Sequence, residues 1–362
     1  MLNFIVVLAV ILILAILVAI FRVTTLVGIV KGDDKQAAPP NNKLNAILMV
    51  AFLVAGIIGF FYFSFGGLSE DFTQPLASEH GAVTDRLFWI TMAITSFVFI
   101  VTQIFLFWFA YKYQHREGRR ADFYPHNNKL EAIWTAVPAV VLAVLIISGW
   151  KTWSDITGPA PEGSEVIEVV GYQFGWSFRY PGNSDNVLGD ANFMKIDAVN
   201  QLGIDFSDQN SFDDFIPAQL HVPKGKPVLL KIRAKDVIHS VYQPHFRLQM
   251  NAVPGMPTRF WFVPTKTTEE MQRETGNPDF NYELVCNKIC GKSHYGMRAI
   301  IIVDEPEEYE AWYKSQEAWL KQNPDYLSQV PSELQEAARI AAGMDSDPDI
   351  QRLENSIVSS SK

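Results

Sequence analysis

"CNKICGKSHYGM" (residues 286–297) holds both cysteines of this 362-residue chain. Cys286 and Cys290 stand four apart, and His294 and Met297 follow within the same twelve residues. Two readings compete. In the first, the sulfurs form a Cys286–Cys290 disulfide, closing so small a loop that little chain entropy is gained. In the second, two thiolates, an imidazole and a thioether surround metal. Sulfur ligands favour copper(I), zinc or iron–sulfur chemistry, and a weak methionine ligand points to copper electron transfer. Methionine is foreign to the usual zinc ligand sets. A mononuclear blue-copper centre takes one cysteine and two histidines. Two cysteines are enough to bridge two metal ions.

Such a site needs a second histidine, drawn from another strand. "AKDVIHSVYQPHF" (234–246) offers His239 and His245. His239 directly follows the apolar pair Val237–Ile238, as expected where a strand ends near a core, and is preferred. The surrounding sequence is built for strands. Val166–Gly171, Gly175–Tyr180, Pro227–Ala234, Arg259–Val263, Tyr282–Val285 and Arg298–Val303 are short and dominated by Val, Ile, Phe and Tyr. "VPKGKP" (222–227) and "AVPGMP" (252–257) read as turns between them. The pattern predicts an antiparallel β-sandwich or barrel. Beyond Asp304, "EPEEYEAWYKSQEAWLKQ" (305–322) is charged and helical in period. The tail from Asn323 is polar and acidic, expected as peripheral helix ending in disorder.

Upstream the character changes. Met1–Phe21, Leu44–Ser69, Leu87–Tyr111 and Ala132–Trp150 each lack any Asp, Glu, Lys or Arg. At about 1.5 Å per residue, each run matches a hydrocarbon core about 30 Å thick. Four transmembrane helices are expected. The first run also invites comparison with a signal peptide, but it has no basic flank and no clear cleavage site, so retention is expected. Basic loops set the orientation. Arg22, Lys31, Lys35 and Lys43 follow the first run; Lys112, Arg116, Arg119, Arg120 and Lys129 follow the third. The loop between the second and third carries only Arg86. Both termini and the strand-rich domain are thus expected on the periplasmic side. The net charge of −9 is uneven: Gly182–Pro217 holds seven aspartates against Lys195 alone. That segment reads either as a solvated loop or as a field attracting a basic partner protein. No nucleic-acid partner is expected.

Taken together, "DVIHS" (236–240), "CNKICGKSHYGM" and "KLEAIWTAVPAVVL" (129–142) resemble subunit II of the cytochrome c oxidases, over roughly residues 85–315. The resemblance implies a membrane-anchored all-β protein: transmembrane helices, then a cupredoxin-like Greek-key barrel or sandwich carrying binuclear copper A, two copper ions. It implies Cys286 and Cys290 as bridging thiolates and His239 and His294 as the imidazole on each copper. Met297 and the backbone carbonyl of Lys288 would be the weak ligands. The implied role is electron input to a terminal haem-copper oxidase of the bacterial inner membrane. The implied partners are oxidase subunit I, other oxidase subunits, membrane lipid, and a cytochrome c or a cytochrome c domain of a neighbouring respiratory complex.

Several residues depart from the family. Lys288 stands where a glutamate usually helps hold magnesium, which puts that ion in doubt. Gln249, Asn251 and Met256 replace charged residues that normally meet the haem-bearing subunit, implying a rewired interface. In "QFGWSFRY" (173–180), Phe174 takes the place of the first tryptophan, where electrons arrive, and Trp176 matches the second. Aromatics in a strand are more often packing, yet either ring is a candidate. Glu131 matches the acidic residue at the cytoplasmic mouth of a proton pathway, although a helix-start glutamate is also favoured by the helix dipole.

The expected organisation is therefore two additional helices (1–66), a helical hairpin of the subunit II type (67–153), a periplasmic copper domain (154–305) and a helical acidic tail (306–362). Three other readings compete: a quinol oxidase subunit, which lacks the copper ligands; a nitrous-oxide reductase-type copper domain, which lacks four preceding helices; and a disulfide-bridged structural protein. With no C-x-x-C-H, no c-type haem is expected in the chain.

Overall fold

The computed structural model describes residues 2–30, 42–66, 74–116, 118–182 and 186–344. Expectations falling elsewhere, including the basic positions Lys31 and Lys35, Asp185 and the disorder expected at the end of the tail, lie outside the described residues. The chain divides into two compact units: Met1–Phe72 with Thr91–Pro138, and Thr73–Ile90 with Ala139–Lys362.

Among the described residues, each uncharged run falls largely on a long helix. These are α1 (Leu2–Val30), α2 (Asn42–Phe65), α3 (Glu79–Lys112) and α4 (Asn128–Thr157). All four are long and apolar enough to cross a membrane. Helix formation satisfies every backbone amide internally, which a lipid environment demands. Phe52, Phe97 and Trp150 remain 67–69% exposed in the isolated chain, so their natural surroundings are lipid or other subunits. Within the first unit, α2 and α3 meet through Phe52–Phe107 and Phe60–Phe99 ring contacts.

Among the described residues, the second unit contains nine strands in two sheets. One sheet has β1 (Glu165–Tyr172), β2 (Gly175–Arg179), β4 (Val228–Ala234) and β7 (Thr258–Phe262), in the order β2-β1-β4-β7. The other has β3 (Leu220–Pro223), β5 (His239–Gln243), β6 (Leu248–Ala252), β8 (Tyr282–Cys286) and β9 (Arg298–Asp304), in the order β3-β9-β8-β5-β6. The sandwich is mixed rather than antiparallel throughout, because β1 runs parallel to β4 and β3 parallel to β9. Both parallel pairs join strands distant in sequence, where no tight turn imposes antiparallel pairing.

Alternation buries one face of each sheet. In β4, Val228, Leu230, Ile232 and Ala234 face inward while Lys231 is exposed. Ile167, Phe178, Val241, Phe262, Leu284 and Ile301 complete a shared core between the layers. At about 25 cal/mol per Å² of apolar surface, such burial is the main stabilising term.

Through residue 344 the tail is not peripheral. After α5 (Thr268–Thr275), the chain continues through α6 (Pro306–Lys314), α7 (Trp319–Gln322) and α8 (Gln335–Ala341). Trp319, Leu320, Val330 and Ala338 pack with Leu202, Ile204, Phe206 and Phe212 into a second core. The aspartate-rich segment is correspondingly not a free loop: Leu188, Leu202, Ile204, Phe206, Phe212 and Phe215 are buried, while Val187, Phe193, Met194, Val199, Asp190 and Asp197 stay exposed. Arg179 lies buried between Glu168 and Asp214, at 2.8 and 2.7 Å, and Glu168 also receives Arg233 at 2.6 Å.

Candidate metal centre

The alternation that buries Tyr282 and Leu284 in β8 places Cys286, the strand's last residue, on the same inner face. Cys286 pairs across the sheet with Val241 of β5, two residues from His239. His239 therefore opens β5, rather than following a strand as expected, and it is fully buried. Residues 287–297 then loop back to β9. The loop is pinned where the Cys286 amide donates to Met297 O and the Asn287 amide donates to Ser240 O.

Six donor atoms gather here. His239, Cys286 and Cys290 present ligand atoms within 4.8 Å of one another, and all three residues are buried. The two sulfurs are unbridged and 3.9 Å apart. Each has its own imidazole: His239 Nδ1 is 3.9 Å from Cys286 Sγ, and His294 Nδ1 is 3.6 Å from Cys290 Sγ. Met297 Sδ lies 3.7 Å from Cys290 Sγ, and the Lys288 carbonyl oxygen 3.2 Å from Cys286 Sγ. The Lys288 side chain itself is exposed. Burial, followed by the neighbouring Cys286 sulfur, pushes the Cys290 thiol up to about 11. Metal loading must displace such protons, because thiolate is the ligand form.

Two residues that the sequence reading did not assign brace the site. Asp236 accepts from His239 Nε2 at 2.8 Å and from the Gln173 and Val237 amides at 2.7 Å each. Burial opposes charge on Asp236, but these hydrogen bonds outweigh it and hold the carboxyl below its ordinary range. The Gln173 side chain donates to Cys290 O at 2.6 Å. Both residues were visible inside the quoted motifs, Asp236 at the head of "DVIHS" and Gln173 at the head of "QFGW"; only their partners were not.

Trp176 is buried with its ring centre 6.0 Å from that of His239. Phe174, 37% exposed, rests against the backbone at Gly291, whose φ of +143° and lack of a side chain permit that approach. Gln249 and Asn251 lie exposed on β6, with Met256 exposed in the turn after it. Glu131 belongs to the other unit. It sits at the start of α4, where its own carboxylate accepts from the Asn127 amide at 3.4 Å and the Asn127 side chain accepts from the Leu130 amide at 3.0 Å.

The chain matches the profile for the transmembrane domain of cytochrome c oxidase subunit II over residues 64–151, and that for its periplasmic domain over residues 165–304. It is 34% identical over 274 residues to the alternative cytochrome c oxidase subunit 2 of Bradyrhizobium diazoefficiens, covering 75% of this chain and 92% of that one. It is 27% identical over 316 residues to cytochrome c oxidase subunit 2 of Thermostichus vulcanus, covering 72% and 83%. Among solved structures, the periplasmic domain of subunit II of the Bradyrhizobium japonicum cytochrome oxidase matches at 22% identity and a TM-score of 0.29, over 43% of this chain and 94% of that one. The fold is accordingly four apolar helices followed by a cupredoxin-like domain, and this chain belongs to the cytochrome c oxidase subunit II family, a component of the haem-copper oxidases, which are oxidoreductases.

Proposed function

We propose that this chain is the electron-input subunit of a terminal oxidase of the bacterial inner membrane. It accepts single electrons from a cytochrome c and hands them to haem in subunit I, where oxygen reduction drives proton translocation. The observation that carries this reading is the paired arrangement of Cys286 with His239 and Cys290 with His294, the two sulfurs 3.9 Å apart. Two shared thiolates with one imidazole at each end suit a pair of soft metal ions better than one ion.

When bound, a binuclear copper A centre supplies one-electron redox chemistry at low reorganisation cost. The residues of this chain would do the rest. Cys286, Cys290, His239 and His294 would hold the copper, with Met297 and the Lys288 carbonyl as weaker donors. Asp236 fixes the His239 tautomer so that Nδ1 faces the sulfurs. Leu284, Met297 and the inner face of β5 keep water out. Phe174, partly exposed, and Trp176, buried beside His239, offer rings for the incoming electron. The magnesium of the family is not proposed here, since the Lys288 ammonium repels a cation where a carboxylate would bind it. Glu131 is proposed as the cytoplasmic mouth of a proton pathway into subunit I. In this arrangement both termini and the copper domain face the periplasm.

Metal analysis of the purified complex tests the reading. Two coppers per chain and a mixed-valence electron spin resonance signal are expected, both lost in Cys290→Ser. Zinc, no metal, or normal turnover in Cys290→Ser would sink it. Phe174→Ala or Trp176→Phe should slow reduction by cytochrome c without altering copper content.

A further inference from the structure

The surface over the metal loops has the opposite charge from the rest of the chain. Three segments form it, 172–175, 235–239 and 286–297. They are tied together by the Gln173 amide on Asp236, the Gln173 side chain on Cys290 O, and the Phe174 ring against Gly291. Across these segments stand three lysines, Lys235, Lys288 and Lys292, and a single carboxylate, Asp236. Asp236 is already engaged by His239 and two amides. Lys288 and Lys292 are exposed, Lys235 is half-buried, and none of the three ion-pairs among the described residues. The patch thus carries an excess of two positive charges in a chain whose net charge is −9.

It is also apolar. Tyr295 is fully exposed, Ile289 is 85% exposed, and Val237, Ile238 and Phe174 are each more than a third exposed. Exposed aromatic and aliphatic side chains bordered by charge mark a protein interaction surface. The metal donors lie directly beneath, so a protein docked here comes within short range of them.

We propose that this surface docks a redox partner whose own docking face is acidic and apolar: an electron-donor protein or domain with carboxylates around its exposed redox-group edge. The proposal rests on the electron-input reading above and adds the sign of the partner's charge. It differs from the second of the two readings of the aspartate-rich segment, a field attracting a basic partner. That segment is folded into the second core with the tail, whereas the lysines sit on the loops that carry the metal donors. Unpaired charges at an interface rim set on-rate and partner choice more than affinity.

The intact detergent-solubilised oxidase complex tests this by stopped-flow reduction with two single-haem cytochromes c of similar potential, one acidic and one basic. The acidic cytochrome should be the faster donor, its second-order rate falling as salt is raised. The Lys235→Glu/Lys292→Glu double variant should slow it about tenfold and abolish its salt dependence, and the Gln/Gln variant should fall between. Copper content should stay the same in all three. A copper-loaded complex that prefers the basic cytochrome, or whose lysine variants react unchanged with the acidic one, overturns the proposal alone. A wild-type complex without copper overturns the metal reading and this proposal together.

Discussion

His239 and Asp236 are joined through the ring nitrogen that faces away from the cysteines. Nε2 lies 2.8 Å from the carboxylate, leaving Nδ1 directed at Cys286 Sγ. The three-residue spacing brings this about. Asp236 sits on the loop before β5, and the strand's first residue swings its ring back over it. A carboxylate on the far nitrogen selects the tautomer and makes the near nitrogen a better donor. Asp236→Ala should therefore weaken copper retention by about 10–100-fold. Competition with a calibrated chelator measures this, and an unchanged affinity would refute the bracing role.

Gly171 of β1 stands against both rings behind the site. A Cβ at that position would lie 3.0 Å from His239 Cδ2 and 3.0 Å from Trp176 Cζ3. Both neighbours are buried and cannot move aside freely. Gly171→Ala should cost about 1–3 kcal/mol through overpacking and perturb the copper electron spin resonance spectrum. A lowered thermal midpoint with an unaltered spectrum would mean that the strain is absorbed by Trp176 alone.

Trp319 links the tail to the aspartate-rich segment. Its ring stacks on Phe206 at 5.6 Å, and its amide donates to Asp214 O at 2.7 Å. Trp319→Ala should remove about 3–5 kcal/mol from the second core. Residues 186–217 and the tail should become sensitive to limited proteolysis while copper content is retained. Loss of copper in the same variant would show instead that the two cores unfold together.

Much of this architecture was legible because the deciding signals are local. The uncharged runs announce the four helices, and the spacing in residues 286–297 announces the loop that gathers sulfur and imidazole donors. The missed elements follow a common cause. In β5, "HSVYQ", polar His239, Ser240 and Gln243 are buried with Val241, so hydrophobic alternation does not appear. The four residues of β3 are too few to show a period. The second core was hidden because its apolar residues are scattered among aspartates, and their partners lie more than a hundred residues away. Such pairing depends on tertiary contact rather than local pattern. Asp236 was invisible as a brace for a different reason: a loop aspartate is ordinarily a turn residue, and only the fold turns His239 toward it.

Asp214 and Glu168 flank the same buried Arg179 but respond to it in opposite ways. Burial is the largest influence on Asp214 and, with repulsion from Asp213 and Glu168, outweighs the guanidinium, raising its pKa to about 7. Burial likewise opposes charge on Glu168, but Arg179 and Arg233 together overcome it and hold the value at about 2. The signs then follow from linkage. Between roughly pH 4, the unfolded carboxyl value, and pH 7, folded Asp214 keeps a proton that the unfolded chain has released. Its stabilisation is complete below that window and is lost as pH rises through it. The Glu168 contribution is present above roughly pH 4.3 and is lost as pH falls toward 2. Asp214→Asn should therefore remove a decline on the order of 2 kcal/mol between pH 5 and 7, leaving the acid limb set by Glu168 in place. Thermal unfolding of the detergent-solubilised chain and the variant at matched pH values measures the difference. A difference that grows in favour of the wild type as pH rises would show that Arg179 keeps Asp214 ionised instead.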